Sequence, residues 1–152
     1  MTIRARFVHT NLIARDWQTL AGFYEGVFGC KPVPPERNMA GPWLEAATGV
    51  RGARIRGIHL RLPGYEDGGP TLEIFQYDPQ AEALEPMVNR PGLAHIAFAV
   101  DDVEQARETV LSAGGRRVGD VVSLAVPGAG TVTFVYVTDP EGNIIELQSW
   151  ST

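Results

Sequence analysis

The sequence predicts an α+β fold in which one unit is written twice. Three observations carry this reading. Each half runs strand, helix, then three strand-like segments; a histidine sits in the first strand of each half, and a glutamate in the last. His9 precedes Glu73 by 64 positions, and His95 precedes Glu146 by 51. The local text matches as well, "TLEIFQY" against "IIELQSW". Self-similarity at so long a period points to internal duplication.

Each element has its own signal. Residues 6–13, "RFVHTNLI", read as a strand. Asp16 then caps a helix on which Trp17, Leu20, Ala21, Tyr24 and Phe28 recur at helical spacing, and Gly29 suits a left-handed terminus. The proline-rich "CKPVPPERNMAGP" reads as irregular, and "PWLEAATG" as a short helix or turn. Two strands follow, "ARIRGIHLRLP" and "PTLEIFQYD", around the glycine-rich "GYEDGG". The second half opens with the strand "GLAHIAFAV" and the helix "DDVEQARETVLSAGG", which begins with carboxylates and ends with glycines. "RRVGDVVSLAV", "GTVTFVYVTD" and "NIIELQSW" are its three strands, the last two joined by the turn "DPEGN". The expected organisation is a single domain, 1–152, built of repeat 1–78, a polar connector 79–91 and repeat 92–152. The longer first half is accounted for by extra material between residues 31 and 52.

Bulk properties narrow the function. With 44% hydrophobic residues the chain has material for a core rather than disorder. A net charge of −5 argues against a nucleic-acid surface, which needs a basic face. The one cysteine, Cys30, rules out an internal disulfide and fits a reducing compartment. No apolar run approaches membrane-spanning length, and "MTIRARFVHT" lacks the core of a signal peptide. A cytoplasmic protein with no membrane or nucleic-acid partner is expected.

Alternation assigns faces. His9 shares one with Phe7 and Asn11, His95 with Leu93 and Ala97. Glu73 points with Thr71, Phe75 and Tyr77, and Glu146 with Ile144, Gln148 and Trp150. A lone strand histidine is more often structural, and strand glutamates usually face water. Two histidines and two carboxylates at matching places in two repeats ask for one purpose, and a divalent cation supplies it. That donor set suits Zn, Ni, Co, Mn or Fe(II).

These residues carry a resemblance. The texts "FVHTNL…DWQTLAGFYEGVFG", "TLEIFQY", "GLAHIAFAVDDVEQA" and "VYVTDPEGNIIELQSW" resemble the glyoxalase/bleomycin-resistance/extradiol-dioxygenase (vicinal oxygen chelate) superfamily over nearly the whole chain. The resemblance implies two βαβββ modules forming curved, mostly antiparallel sheets around a metal site. It implies His9, Glu73, His95 and Glu146 as metal ligands, and a homodimer acting on a small molecule. It further implies a divalent-metal-dependent lyase or isomerase that stabilises an enolate or enediolate of a carbonyl or carboxylate substrate. Glu146 or Glu73 would be the base, and spacing does not choose between them. Glyoxalase I has an arginine four positions after the first histidine and an asparagine four after the first glutamate. Ile13 and Tyr77 stand there, so a glutathione substrate is not expected. Two other readings remain open: an Fe(II)-dependent dioxygenase, and a non-catalytic protein that sequesters a drug-like molecule.

Phe75, Tyr77 and Trp150 share the ligand parity and are candidates for a substrate pocket, as are His59 and Asn11. Core packing explains the aromatic residues equally well, and an edge position explains His59. Arg54, Arg56, Arg61 and Arg90 are candidates for holding an anion, with solvated strand arginines as the ordinary reading. Trp43 reads as a lid or a core cover, and Cys30 as a small buried residue rather than a nucleophile.

Overall fold

Two central strands, each carrying one of the two glutamates, organise the chain. A computed structural model describes residues 2–152. By backbone contacts the chain divides into two compact units, Met1–Glu82 and Ala83–Thr152.

The first unit holds β1 (His9–Ile13), α1 (Trp17–Phe28), β2 (Lys31–Ala40), α2 (Pro42–Thr48), β3 (Arg54–Arg61) and β4 (Thr71–Asp78). Its sheet runs in the order β1-β4-β3-β2. β1 lies parallel to β4, and the other neighbours are antiparallel. α1 forms where the signals placed it. The Asp16 carboxylate accepts from the backbone N–H groups of Gln18 and Thr19, and Gly29 ends the helix with φ of 68°. Its buried Leu20, Ala21, Phe23 and Tyr24 belong to the same core as Leu12, Ile58, Leu60, Leu72 and Ile74, one alternation set of the sheet. Each such fully buried side chain contributes about 1.5–3 kcal/mol of transfer free energy. On the opposite face α2 packs Leu44 with Ala53, Ile55 and Phe75, and Met39, Val50 and Tyr77 complete this second cluster. Phe75 and Tyr77 are therefore packing residues under α2.

The second unit holds β5 (Ile96–Ala99), α3 (Val103–Ser112), β6 (Arg116–Arg117), β7 (Val122–Val126), β8 (Gly130–Thr138) and β9 (Ile144–Ser151). The order is β5-β9-β8-β6, with β7 also pairing β8. β5 lies parallel to β9, repeating the β1–β4 relationship. Asp102 caps α3 by accepting from Gln105 N at 3.0 Å. The buried hydrophobic set is Phe98, Val103, Val110, Val132, Val135, Val137, Ile144, Ile145 and Leu147. In the "DPEGN" turn, fully buried Asp139 accepts through Oδ1 from the N–H groups of Glu141 and Asn143, at 2.9 and 3.0 Å. That local bonding is what turns β8 into β9.

Several expectations are corrected. Residues 31–40 form a strand and not an irregular segment. β2 is an edge strand, where Pro32, Pro34 and Pro35 forfeit few ladder bonds, and its register shifts between Val33 and Arg37. The first strands are shorter than 6–13 and 92–100. Pairing of β1 with β4 begins at His9 opposite Thr71, and the glycine-rich loop before Thr71 offers no strand to pair with Phe7. β5 begins at Ile96, so His95 stands one residue ahead of it, and Leu93 is 78% exposed. "RRVGDVVSLAV" is two strands, β6 and β7, separated around Gly119. Both sheets are open and mixed, so wrapping around a metal is a property of neither sheet taken alone. Among the described residues, no helix is long and apolar enough to cross a membrane.

Candidate functional site

In the first unit, one row across three strands gathers the polar side chains. Register sets Asn11 of β1 opposite Glu73 of β4, and Glu73 opposite His59 of β3. His9 lies two residues before Asn11, on the same face. The Glu73 side chain is only 10% exposed, a costly place for a carboxylate without partners. It has three. His9 Nε2 lies 3.3 Å from Oε2, Asn11 Nδ2 donates to Oε2 at 3.1 Å, and His59 Nε2 lies 3.0 Å from Oε1. Hydrogen bonds to a charged acceptor contribute about 1.5–3 kcal/mol each.

His59 is the most enclosed histidine of the three, at 19% side-chain exposure. Burial is the main cause that lowers its pKa; the Glu73 charge opposes this, and Arg37 and His9 add to it. The neutral ring suits its contacts: Nε2–H donates to Glu73, and Nδ1 faces the Thr71 hydroxyl at 3.5 Å. Its ring also meets Phe75 edge-on, with centroids 5.7 Å apart. Two residues earlier on β3, a Cβ at Gly57 would run into the Ile74 carbonyl oxygen and the Phe75 ring. His59 is thus an inner-strand residue and not an edge one.

The second unit repeats the row. Ala97 of β5 stands opposite Glu146 of β9, and Glu146 opposite Tyr136 of β8. His95 Nε2 lies 3.0 Å from Glu146 Oε2. The Tyr136 hydroxyl hydrogen-bonds Glu146, and its ring lies 5.2 Å from that of His95. Burial, then the Glu146 charge and that hydrogen bond, raise the Tyr136 pKa. Position for position, His9, Asn11, Glu73 and His59 correspond to His95, Ala97, Glu146 and Tyr136. Sequence reasoning missed Tyr136. The signal was available: with β8 and β9 joined by "DPEGN", antiparallel pairing brings Tyr136 level with Glu146.

The remaining candidates fall outside these rows. Trp150 is 52% exposed and donates Nε1 to Gln148 Oε1 at 2.9 Å. Arg61 pairs with Asp67 at 2.5 Å, and Arg54 donates to Asn38 at 3.1 Å, so both are engaged on the surface. Trp43 is 55% exposed beside Gly41. Cys30 is buried, and burial pushes its thiol up to about 11, which makes it unreactive. Among the described residues, no group of three or more His, Cys, Asp or Glu side chains is set out to hold a metal ion. What the structure supplies is three imidazole–carboxylate contacts, His9 and His59 on Glu73 and His95 on Glu146.

The profile of the Glyoxalase/Bleomycin resistance protein/Dioxygenase superfamily matches residues 6–147. The chain belongs to that superfamily. Solved structures agree on the fold. A glyoxalase family protein from Bacillus cereus is 21% identical with a TM-score of 0.75, over 100% of this chain and 97% of that one. A glyoxylase/bleomycin resistance protein/dioxygenase domain from Frankia sp. EAN1pec is 18% identical with a TM-score of 0.62, over 98% and 100%. A virulence protein from Salmonella typhimurium is 24% identical with a TM-score of 0.55, over 99% and 100%. No match among curated proteins was found.

Proposed function

We propose that residues 1–152 act as one glyoxalase-like domain, a divalent-metal-dependent lyase or isomerase, with His9, Glu73, His95 and Glu146 as metal ligands. The single observation that carries this reading is the repeated register. In both units a histidine at or just before the first strand, His9 opening β1 and His95 one residue ahead of β5, has its Nε2 at a glutamate on the central strand, at 3.3 and 3.0 Å. Duplication of two hydrophobic cores does not require a repeated imidazole–carboxylate pair; a shared cation does. Two neutral imidazoles and two carboxylates suit a first-row divalent ion and balance its charge.

A divalent ion bound by these side chains supplies Lewis acidity that stabilises negative charge on a substrate oxygen as a carbon-bound proton leaves. The chain must supply the base. Glu146 is the better placed of the two glutamates: it has the partners His95 and Tyr136, whereas Glu73 has His9, Asn11 and His59. A carboxylate with fewer donors reorients more freely to take a proton. The substrate class this supports is a small molecule with a carbonyl or carboxylate beside the acidic carbon. Ile13 and Tyr77 leave no charged anchor for glutathione at those two positions. A cytoplasmic homodimer is the proposed setting.

Elemental mass spectrometry tests the reading. Protein is exposed to Zn, Ni, Co, Mn or Fe(II) and desalted, beside a Glu146→Gln control. About one ion retained per chain, lost in the variant, is the expected result. Retention of no ion under any condition overturns it and favours the sequestering role. Oxygen uptake with Fe(II) would instead assign a dioxygenase.

A further inference from the structure

The two rows differ at one position whose neighbours are preserved. Glu73 meets His59 across the β3–β4 pairing, and Glu146 meets Tyr136 across β8–β9. Imidazole and phenol share little chemistry as metal ligands, but both carry one polar hydrogen that reaches a carboxylate. His59 Nε2 sits 3.0 Å from Glu73 Oε1, and the Tyr136 hydroxyl hydrogen-bonds Glu146. Each ring also packs against a neighbouring aromatic residue: His59 edge-on to Phe75 at 5.7 Å, and Tyr136 edge-on to Phe134 at 5.8 Å.

We infer that His59 and Tyr136 are a matched pair of positioning residues, each holding one glutamate by a hydrogen bond so that its carboxylate is oriented for a metal ion. The inference rests on the proposed metal ligation by Glu73 and Glu146. It assigns His59 a role outside the ligand set and gives Tyr136, which sequence reasoning passed over, the equivalent role. In the first unit the geometry separates the two oxygens. His59 takes Oε1, while His9 and Asn11 share Oε2. Partners of this kind fix ligand orientation and raise metal affinity. The Glu73 carboxylate, which can only accept, favours the tautomer that keeps the hydrogen on Nε2, and the Thr71 hydroxyl 3.5 Å from Nδ1 is compatible with it.

The test is Co(II) titration of the metal-free full chain, read by visible absorption and by calorimetry, for wild type, His59→Phe, His59→Gln and Tyr136→Phe. His59→Phe and Tyr136→Phe are each expected to weaken Co(II) binding by about 10-fold or more. The absorption bands should keep their positions, because no ligand is lost. His59→Gln, which keeps a donor, should recover most of the affinity. Tyr136→Phe removes a single oxygen, so a folded variant is available even if His59→Phe is not. Wild-type affinity in both Phe variants overturns this inference and leaves the metal reading standing. A band shift or a lost ligand in His59→Phe also overturns it, by making His59 a ligand. Failure of the wild type to bind Co(II), and likewise Zn, Ni, Mn and Fe(II) in the same calorimetric titration, overturns both readings together.

Discussion

Asn11 and Glu73 face each other across the parallel β1–β4 pairing, with Asn11 Nδ2 donating to Glu73 Oε2 at 3.1 Å. The same register position of the second unit holds Ala97, opposite Glu146, and offers no side-chain donor. Two carboxylates that correspond in register are therefore held unequally. Replacing Asn11 removes a charge-assisted bond to a carboxylate that remains buried. Asn11→Ala is expected to cost about 1–2 kcal/mol in urea denaturation. A change within about 0.3 kcal/mol would show that water replaces the amide without loss.

The inequality predicts how the two glutamates respond to neutralisation. Glu73→Gln leaves an amide among three groups arranged to donate, so at least one donor loses its acceptor or must turn away. Glu146→Gln disturbs two, at the less buried site. Metal-free Glu73→Gln should melt lower than metal-free Glu146→Gln, each compared with wild type by scanning calorimetry. Equal or reversed order would mean that donor number does not set the difference.

Much of this was legible in the sequence, for identifiable reasons. α1 is bracketed by Asp16 and Gly29, whose cap bonds are local and need no tertiary context. The duplication was readable because His9, Glu73 and Glu146 sit in strands, and His95 next to one, so that alternation fixes their faces. β2 was not readable. Three prolines in ten residues mark a breaker unless the strand is known to lie at a sheet edge, and position in a sheet is not a local property. The ends of β1 and β5 were misplaced because a parallel strand extends only as far as its partner, which lies dozens of residues away. His59 and Tyr136 required the register between strands, which alternation within one strand does not give.

Gly57 offers a test of that register. A Cβ at this position would collide with the Ile74 carbonyl oxygen and come within 2.7 Å of the Phe75 ring. The collision is with the backbone of the partner strand, so side-chain adjustment does not relieve it. Gly57→Ala should destabilise the chain by about 2–3 kcal/mol or more. His59 and Glu73 lie two residues away on the same pair of strands, so the variant should also retain less metal after desalting. Wild-type stability would show that β3 and β4 separate there without penalty.

Cys30 follows the C-terminal glycine of α1 and is 1% exposed. Burial pushes its thiol up to about 11, so at pH 8 about 0.1% is thiolate even before access is considered. Native protein is expected to react with a disulfide reagent only on the timescale of unfolding, and to release one equivalent at once in guanidinium. Prompt reaction of the native chain would place Cys30 at the surface.

Asp16 provides the pH dependence. Its carboxylate bonds the Thr19 hydroxyl and accepts from the N–H groups of Thr19 and Gln18, and these bonds lower its pKa below 3.8. A carboxyl whose pKa is lower in the folded state than in the unfolded chain stabilises the fold above the unfolded value. That contribution fades as pH falls through the folded value. Asp16→Ala should therefore lower the melting temperature by a few degrees at neutral pH, and the gap to wild type should stay constant down to about pH 5 and shrink below about pH 4. Thermal melts of both proteins across that range measure it. A gap that holds its full size at the acid end would assign the loss to the side chain's hydrogen-bonding geometry rather than to its charge.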